Sequence, residues 1–241
     1  MAQRPFAETD VQLLTVLKNH KFKFNTVYDV GASDGTWSWQ AAKVFPDAVF
    51  HLFDPLLGAQ ESYSAQLKAV LADRPDFILH RVAMGDVSQP HASFFVTEDG
   101  YGSTIIDVNS VPGFVRRSVA VHRLDNYVAE HRLPFPDLIK MDVQAGEVRI
   151  LSAATRCLQH ASALLLETWL YREYGPKTPL LGEIVEYVRE FGFDLVEFGD
   201  RYYDEKHRLA SIDAMFLKRR ALTERKGTLP SGDWLRSLNP R

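Results

Sequence analysis

The chain has 241 residues, 46% of them hydrophobic, with a formal net charge of −3 and a pI near 6.2. It is long enough for one large domain with a full core, and its slight acidity gives no general attraction to a phosphate backbone, which argues against a nucleic-acid partner. A lone cysteine, Cys157, excludes a disulfide framework and a multi-cysteine metal site, and no stretch of about 18 apolar residues is present to cross a membrane. Together with a start, MAQRPFAETD, that lacks an apolar signal core, these features are expected of a soluble cytoplasmic protein.

The first pattern in chain order is a helix over about 9–20, with Val11, Leu14 and Leu17 on one face that could cover its own domain or a twin. A strand at about 26–30 leads through a glycine turn into a helix at 35–45, where Trp37 and Trp39 are expected to pack between helix and sheet. A strand at 48–53, a helix at 58–72 and a strand at 77–83 follow. Residues 84–136 break this rhythm. They contain two extra strand patterns, 92–96 and 119–124, joined by turns around Gly100, Gly102 and Gly113, and read as a small β insertion over the ligand edge.

The rhythm resumes with a strand at 137–141, a helix at 146–158 and a strand at 162–167. A helix at 178–191 carries Leu181, Ile184, Val185 and Val188 on its packed face, and strands at 193–198 and 212–217 close the series. Short apolar runs alternating with longer amphipathic ones predict an α/β fold, a mostly parallel seven-stranded sheet with helices on both faces. The expected organisation is one domain over 1–222, with 1–22 as an N-terminal helical extension and 223–241 as a polar, loosely held tail. The basic run Lys218-Arg219-Arg220, with Arg225 and Lys226 beyond it, reads as a solvated chain end.

The stretch Val27-Tyr28-Asp29-Val30-Gly31-Ala32-Ser33-Asp34-Gly35-Thr36 places an acid and a glycine turn between a strand and a helix, as nucleotide-cofactor loops do. A dinucleotide fingerprint starting at Gly31 wants glycine at 33 and 36, where Ser33 and Thr36 stand. The S-adenosylmethionine loop, roughly D-x-G-x-G-x-G, finds Asp29, Gly31 and Gly35 in place, and only Ser33 departs. In an open parallel sheet ligands bind beyond the carboxyl ends of the strands. Acids fall at or near such ends at Asp29, Asp54, Asp86, Asp142 and Glu167; Asp86 serves equally well as a turn residue. Asp54, 19 positions after Gly35, suits a ribose diol, and alanine there is expected to weaken cofactor binding while sparing the fold.

The loop Asp29–Gly35, taken with Ile139-Lys140-Met141-Asp142-Val143-Gln144-Ala145-Gly146-Glu147, resembles the FkbM-type methyltransferases, whose second motif is close to K-I-D-V-E-G-x-E. Gly102-Ser103-Thr104, His122-Arg123-Leu124-Asp125 and Leu165-Leu166-Glu167 are similar to further segments of that family, so the resemblance covers roughly 26–217. Gln144-Ala145-Gly146 departs from it, by one added residue or by Ala145 standing in the glycine's place.

The resemblance implies a Rossmann-like class I fold, S-adenosyl-L-methionine as cofactor, and methyl transfer most often to a hydroxyl of a sugar or secondary metabolite. The cofactor set is then Asp29, Gly31, Ala32, Ser33, Gly35, Thr36, Asp54, Ala83, Met84 and Asp142. A weakly nucleophilic hydroxyl needs a base, for which Asp142 and Glu167 come first and His122 third; Asp142 could instead hold the methionine ammonium. A divalent metal between Asp142 and Glu167 ranks below the metal-free route, so no metal site is expected. Trp169, Tyr171 and Tyr174 offer aromatic faces to a small-molecule acceptor, and the protein is expected to be a monomer or homodimer. A nicotinamide oxidoreductase and a non-catalytic binding protein of the same fold are the competing readings.

Overall fold

The computed structural model describes residues 8–108 and 111–223. It begins with α1 (Glu8–Asn19), β1 (Thr26–Val30), α2 (Thr36–Val44), β2 (Val49–Phe53), α3 (Glu61–Asp73) and β3 (Ile78–His80). A second group follows: β4 (Ala83–Met84), β5 (Gln89–Val96), β6 (Val115–His122) and α4 (Leu124–Glu130). The remainder is β7 (Leu138–Met141), α5 (Glu147–Ser152), α6 (Thr155–His160), β8 (Ala163–Trp169), α7 (Leu181–Glu190), β9 (Phe193–Tyr203), β10 (Leu209–Lys218) and α8 (Arg219–Thr223).

Seven strands form one sheet in the order β3-β2-β1-β7-β8-β10-β9. The pairs from β3 through β8 are parallel, and β10 runs antiparallel to both of its neighbours. Strand order therefore reverses between β1 and β7, which opens a crevice at their carboxyl ends. One face of the sheet, through Val27, Leu138, Leu165 and Met215, is covered by Leu13, Leu14 and Leu17 of α1, Ala41 and Ala42 of α2, and Leu67 and Val70 of α3. The other face, through Tyr28, Ile139, Leu164 and Phe216, is covered by α4 to α7, with Ile184 and Val188 of α7 fully buried. Each large side chain buried this way contributes roughly 1.5–3 kcal/mol.

The helix α1 thus covers its own sheet, and Trp37 and Trp39 pack against the same cluster, as their spacing predicts. Among the described residues, no helix is long and apolar enough to cross a membrane.

Three predicted elements are redrawn. The run 77–83 divides: β3 joins the large sheet, while β4 pairs with β6 in a separate sheet of order β4-β6-β5, the predicted β insertion. The run 119–124 ends as a strand at His122, and Leu124 opens α4, its side chain fully buried. The single helix expected at 146–158 breaks at Ala153-Ala154, because the Asp125 carboxylate accepts the amides of Arg156 (2.8 Å) and Cys157 (3.0 Å) and caps a new helix there. Within the basic run Lys218 is corrected: it is buried and donates to the carbonyls of Leu158 and Gln159, closing the last strand onto α6, whereas Arg219 and Arg220 are exposed as expected and Arg219 pairs with Asp194 of β9 at 2.9 Å. Arg225, Lys226 and the predicted tail beyond Thr223 lie outside the described residues.

Gly31 sits at φ +83, and a Cβ there would collide with the Asp142 carbonyl oxygen. Gly31→Ala combines left-handed strain with overpacking and is expected to cost on the order of 3 kcal/mol. Urea unfolding checks this, and a wild-type midpoint would contradict it.

Candidate active site

The glycine loop joins β1 to α2 and is held by its own strand neighbours. The amides of Gly31 and Ala32 both donate to the Phe53 carbonyl at 2.8 and 3.2 Å, Gly35 N donates to Ala32 O, and the Asp34 carboxylate caps Thr36 N at 2.9 Å. Ser33 takes the left-handed conformation, φ +51, that the absent glycine would adopt freely, and its amide donates to Asp54 Oδ2 at 3.1 Å. Asp54 Oδ1 accepts Leu56 N at 2.7 Å. Each oxygen of Asp54 therefore keeps a lone pair free for a diol. Burial raises its pKa to about 6 against the pull of those two amides. Because the Asp54 side chain also accepts the amides of Ser33 and Leu56, alanine at 54 would release two backbone donors besides removing the diol's acceptor.

Lys140 is the centre of the site. Its Nζ lies 3.4 Å from Asp29 Oδ1, 3.5 Å from Asp142 Oδ2 and 3.4 Å from the Gly31 carbonyl. Burial alone would lower its pKa, but Asp29 and Asp142 outweigh burial and raise it. Asp29 is fully buried inside β1, in register with Lys140, and accepts Ser38 Oγ at 2.7 Å, so it ties the strand to α2.

Beyond β7 the chain makes a tight turn. Ala145 stands at φ +73, the conformation for which glycine is suited, so it occupies the glycine's place in the motif with no added residue. Glu147 Oε1 accepts Val143 N at 3.1 Å and closes this turn; its Oε2 is buried without a partner among the described residues, and burial raises its pKa to about 8. Glu167 lies two residues inside the end of β8, on the face that Lys140 and Leu165 share. Its Oε1 accepts Ser211 Oγ at 3.1 Å, while Oε2 is buried with no hydrogen-bond partner among the described residues. Burial, then Asp142, Glu147 and Asp213, push its pKa well above the carboxylate range. Trp169, with its indole nitrogen unpartnered, packs edge-on against Tyr174 at 5.2 Å.

The structure thus brings Asp29, Gly31, Asp142 and Glu167 to one edge, with Ser33 and Asp54 joined beside them. Ala32, Gly35 and Thr36 lie in the same loop, while the other predicted residues sit elsewhere. Ala83 and Met84 are buried in the small sheet, and Asp86 pairs with Arg149 at 2.8 Å. The His122 ring packs edge-on against Tyr127, 5.2 Å between centroids, and among the described residues no hydrogen bond joins it to the acids. Lys140 and Gln144 were not singled out from sequence. A lysine between Ile139 and Met141 in a buried strand was the available signal for the first. Asp10, Asp200 and Asp213 also gather, with carboxylate atoms within 4.8 Å of one another on the α1 side, and burial followed by Asp200 raises the pKa of Asp10 to about 7.

The family model for the methyltransferase FkbM domain matches residues 29–195. The chain belongs to the FkbM methyltransferase family. Family membership makes S-adenosyl-L-methionine its cofactor. The donor set fits that molecule: a glycine loop, the Asp54 carboxylate with lone pairs to spare, and the part-exposed Asp142 carboxylate on the same rim.

A solved methyltransferase FkbM from Methylobacillus flagellatus KT superposes with a TM-score of 0.50 at 16% identity, over 80% of this chain and 43% of that one. This FkbM-family chain therefore spans less than half of that relative, and the likeness is one of Rossmann-like fold. A precorrin-6y C5,15-methyltransferase from Geobacter metallireducens GS-15 gives 0.48 at 13% identity, covering 90% and 92% of the two chains. The O-methyltransferase TomG from Streptomyces achromogenes, solved in complex with SAM, gives 0.45 at 13%, covering 87% and 79%. No curated protein matches the chain in sequence.

Two predictions follow from the buried charges of this FkbM-family site. Lys140→Met leaves Asp29 buried without its cation and is expected to cost roughly 3–5 kcal/mol in urea unfolding; a loss below 1 kcal/mol would contradict the pairing. The second concerns pH. Asp10 and Glu147, at about 7 and 8, retain protons in the folded chain that the unfolded chain has released. Unfolding free energy therefore falls as pH rises wherever these groups titrate. His51 and His80, both lowered to about 4 by burial, act in the opposite sense only below their unfolded value of about 6.5. The melting temperature of the ligand-free protein is thus expected to fall from pH 6.5 to 8; a rise across that window would contradict it.

Proposed function

We propose that this chain transfers the methyl group of S-adenosylmethionine to a hydroxyl of a small-molecule acceptor, a sugar or a secondary metabolite. The observation that carries the reading is the placement of Asp142, just after β7, level with Glu167 near the end of the adjacent β8, on the rim that holds the glycine loop. When bound, the cofactor supplies an activated methyl on a sulfonium, so the protein must align the acceptor oxygen and exclude water.

In this reading Asp54 accepts the ribose hydroxyls, the loop Gly31–Thr36 shapes the cofactor's seat, and Asp142 receives the methionine ammonium or orients the acceptor. The buried, unpartnered Oε2 of Glu167 accepts the hydroxyl proton. Its raised pKa means that the ionised form is populated only above the ordinary carboxylate range, and that form is a stronger base than a free carboxylate. Tyr174 supplies a ring face for the acceptor, and the buried Trp169 backs it edge-on. His122 remains the third candidate, remote from this group in its contacts. Ala83 and Met84 would shape the adenine end from the core.

A nicotinamide oxidoreductase gains no support from Ser33 and Thr36, and the family assignment favours methyl transfer over it. The reading is of a single unit acting in the cytoplasm as a monomer or homodimer, with neither a nucleic acid nor a membrane as partner.

The test is transfer of labelled methyl from S-adenosylmethionine to a panel of glycosides and phenols. Asp142→Asn and Glu167→Gln are expected to lower turnover by roughly 10²–10⁴-fold with cofactor affinity changed only a few-fold. Glu167→Gln should also remove the rise of turnover with pH. Full activity in both variants would move the base elsewhere, and wild-type protein that binds cofactor without transferring methyl to any acceptor would favour a binding role.

A further inference from the structure

Gln144 lies between β7 and α5 at φ +56, and Ala145 follows it at φ +73. Two successive non-glycine residues in the left-handed region are costly, and neighbouring contacts must hold them there. Those contacts are specific. The Gln144 carbonyl accepts Thr104 Oγ1 at 2.6 Å, its side-chain Oε1 accepts Tyr174 Oη at 2.6 Å, and its Nε2 donates to Asp142 Oδ1 at 2.8 Å. One residue therefore joins the acid after β7, the aromatic segment after β8 and the connection between β5 and β6.

We propose that Gln144 is a positioning residue of the transfer site: it fixes the Asp142 carboxylate and draws Tyr174 and the Thr104 segment over the acceptor side. This rests on the reading of Asp142 as part of that site. An amide suits the task because it donates at one end and accepts at the other. The FkbM-type motif that the chain resembles carries glutamate at this position. An ionised glutamate could still accept Tyr174 Oη, but it has no hydrogen to give Asp142 and would add a like charge beside it. The glutamine is thus a departure of this chain from that motif, and it bonds Tyr174 and Asp142 at once.

The test exchanges the pair. Gln144→Glu is expected to lower the urea midpoint at pH 8 and to weaken S-adenosylhomocysteine binding, read by calorimetry, by no more than the few-fold change expected of Asp142→Asn. Asp142→Asn combined with Gln144→Glu should bring the midpoint back to that of Asp142→Asn alone, because the amide at 142 then donates to the carboxylate at 144. A residue that only shapes the loop would show no such rescue. If Gln144→Glu does not fold, recovery of folded protein in the double variant gives the same support. A wild-type midpoint for Gln144→Glu, an equal loss with Asp or Asn at 142, or a double variant that stays unfolded would overturn the proposal. Wild-type protein that fails to bind S-adenosylhomocysteine would reject the cofactor reading instead, and the urea comparison would still decide the link between Gln144 and Asp142.

Discussion

A single buried ammonium at the carboxyl edge of the sheet organises the rest. Lys140 faces Asp29 of β1, Asp142 after β7 and the carbonyl of Gly31, all within 3.5 Å. It therefore joins the two strands between which strand order reverses, at the crevice where a ligand would enter. Without a cation there, Asp29 would be a buried acid with only Ser38 for support, and Asp142 would face Glu147 and Glu167 with no charge of opposite sign. The loop geometry follows from the same contact: Gly31 must be glycine because its turn lies directly against the Asp142 carbonyl.

Around that centre several connections converge. The segment between β5 and β6 reaches the rim through Tyr101 Oη to Asp34 (3.0 Å), Ser62 Oγ to the Asp99 carbonyl (2.6 Å) and Gln60 Nε2 to the Glu98 carbonyl (2.9 Å). Thr104 and Tyr174 then complete the enclosure at Gln144. Hydrogen bonds across such an edge cost little to break one at a time, about 1 kcal/mol each, yet together they exclude water from carboxylates whose pKa values burial has already raised. The same burial makes the ligand-free site costly to ionise, so its stability falls as these acids lose their protons.

The parts of this arrangement that were legible in the sequence are those with local causes. The alternation of apolar runs and amphipathic helices placed the strands of the large sheet to within a few residues, and the loop at Asp29–Gly35 announced its own turn. Asp54 and Asp142 fell after strand ends as expected, and Ala145 proved to be the glycine's substitute once its positive φ was seen. The parts that were not legible depend on partners distant in the chain. Asp125 breaks the helix at 153–154 from a position 31 residues away from Arg156, and no periodicity within 146–158 reports it. Lys218 looks like a solvated basic end until the carbonyls of Leu158 and Gln159 are placed beside it. Lys140 and Gln144 have the same character: each has meaning only through groups that the fold brings to it.

Hydrogen–deuterium exchange of the wild-type protein with and without S-adenosylhomocysteine tests the central claim most directly. The account predicts added protection in the segments 31–36, 54–57 and 140–147, with the far ends of the same strands unchanged. Protection confined to other segments, or none at saturating ligand, would contradict it.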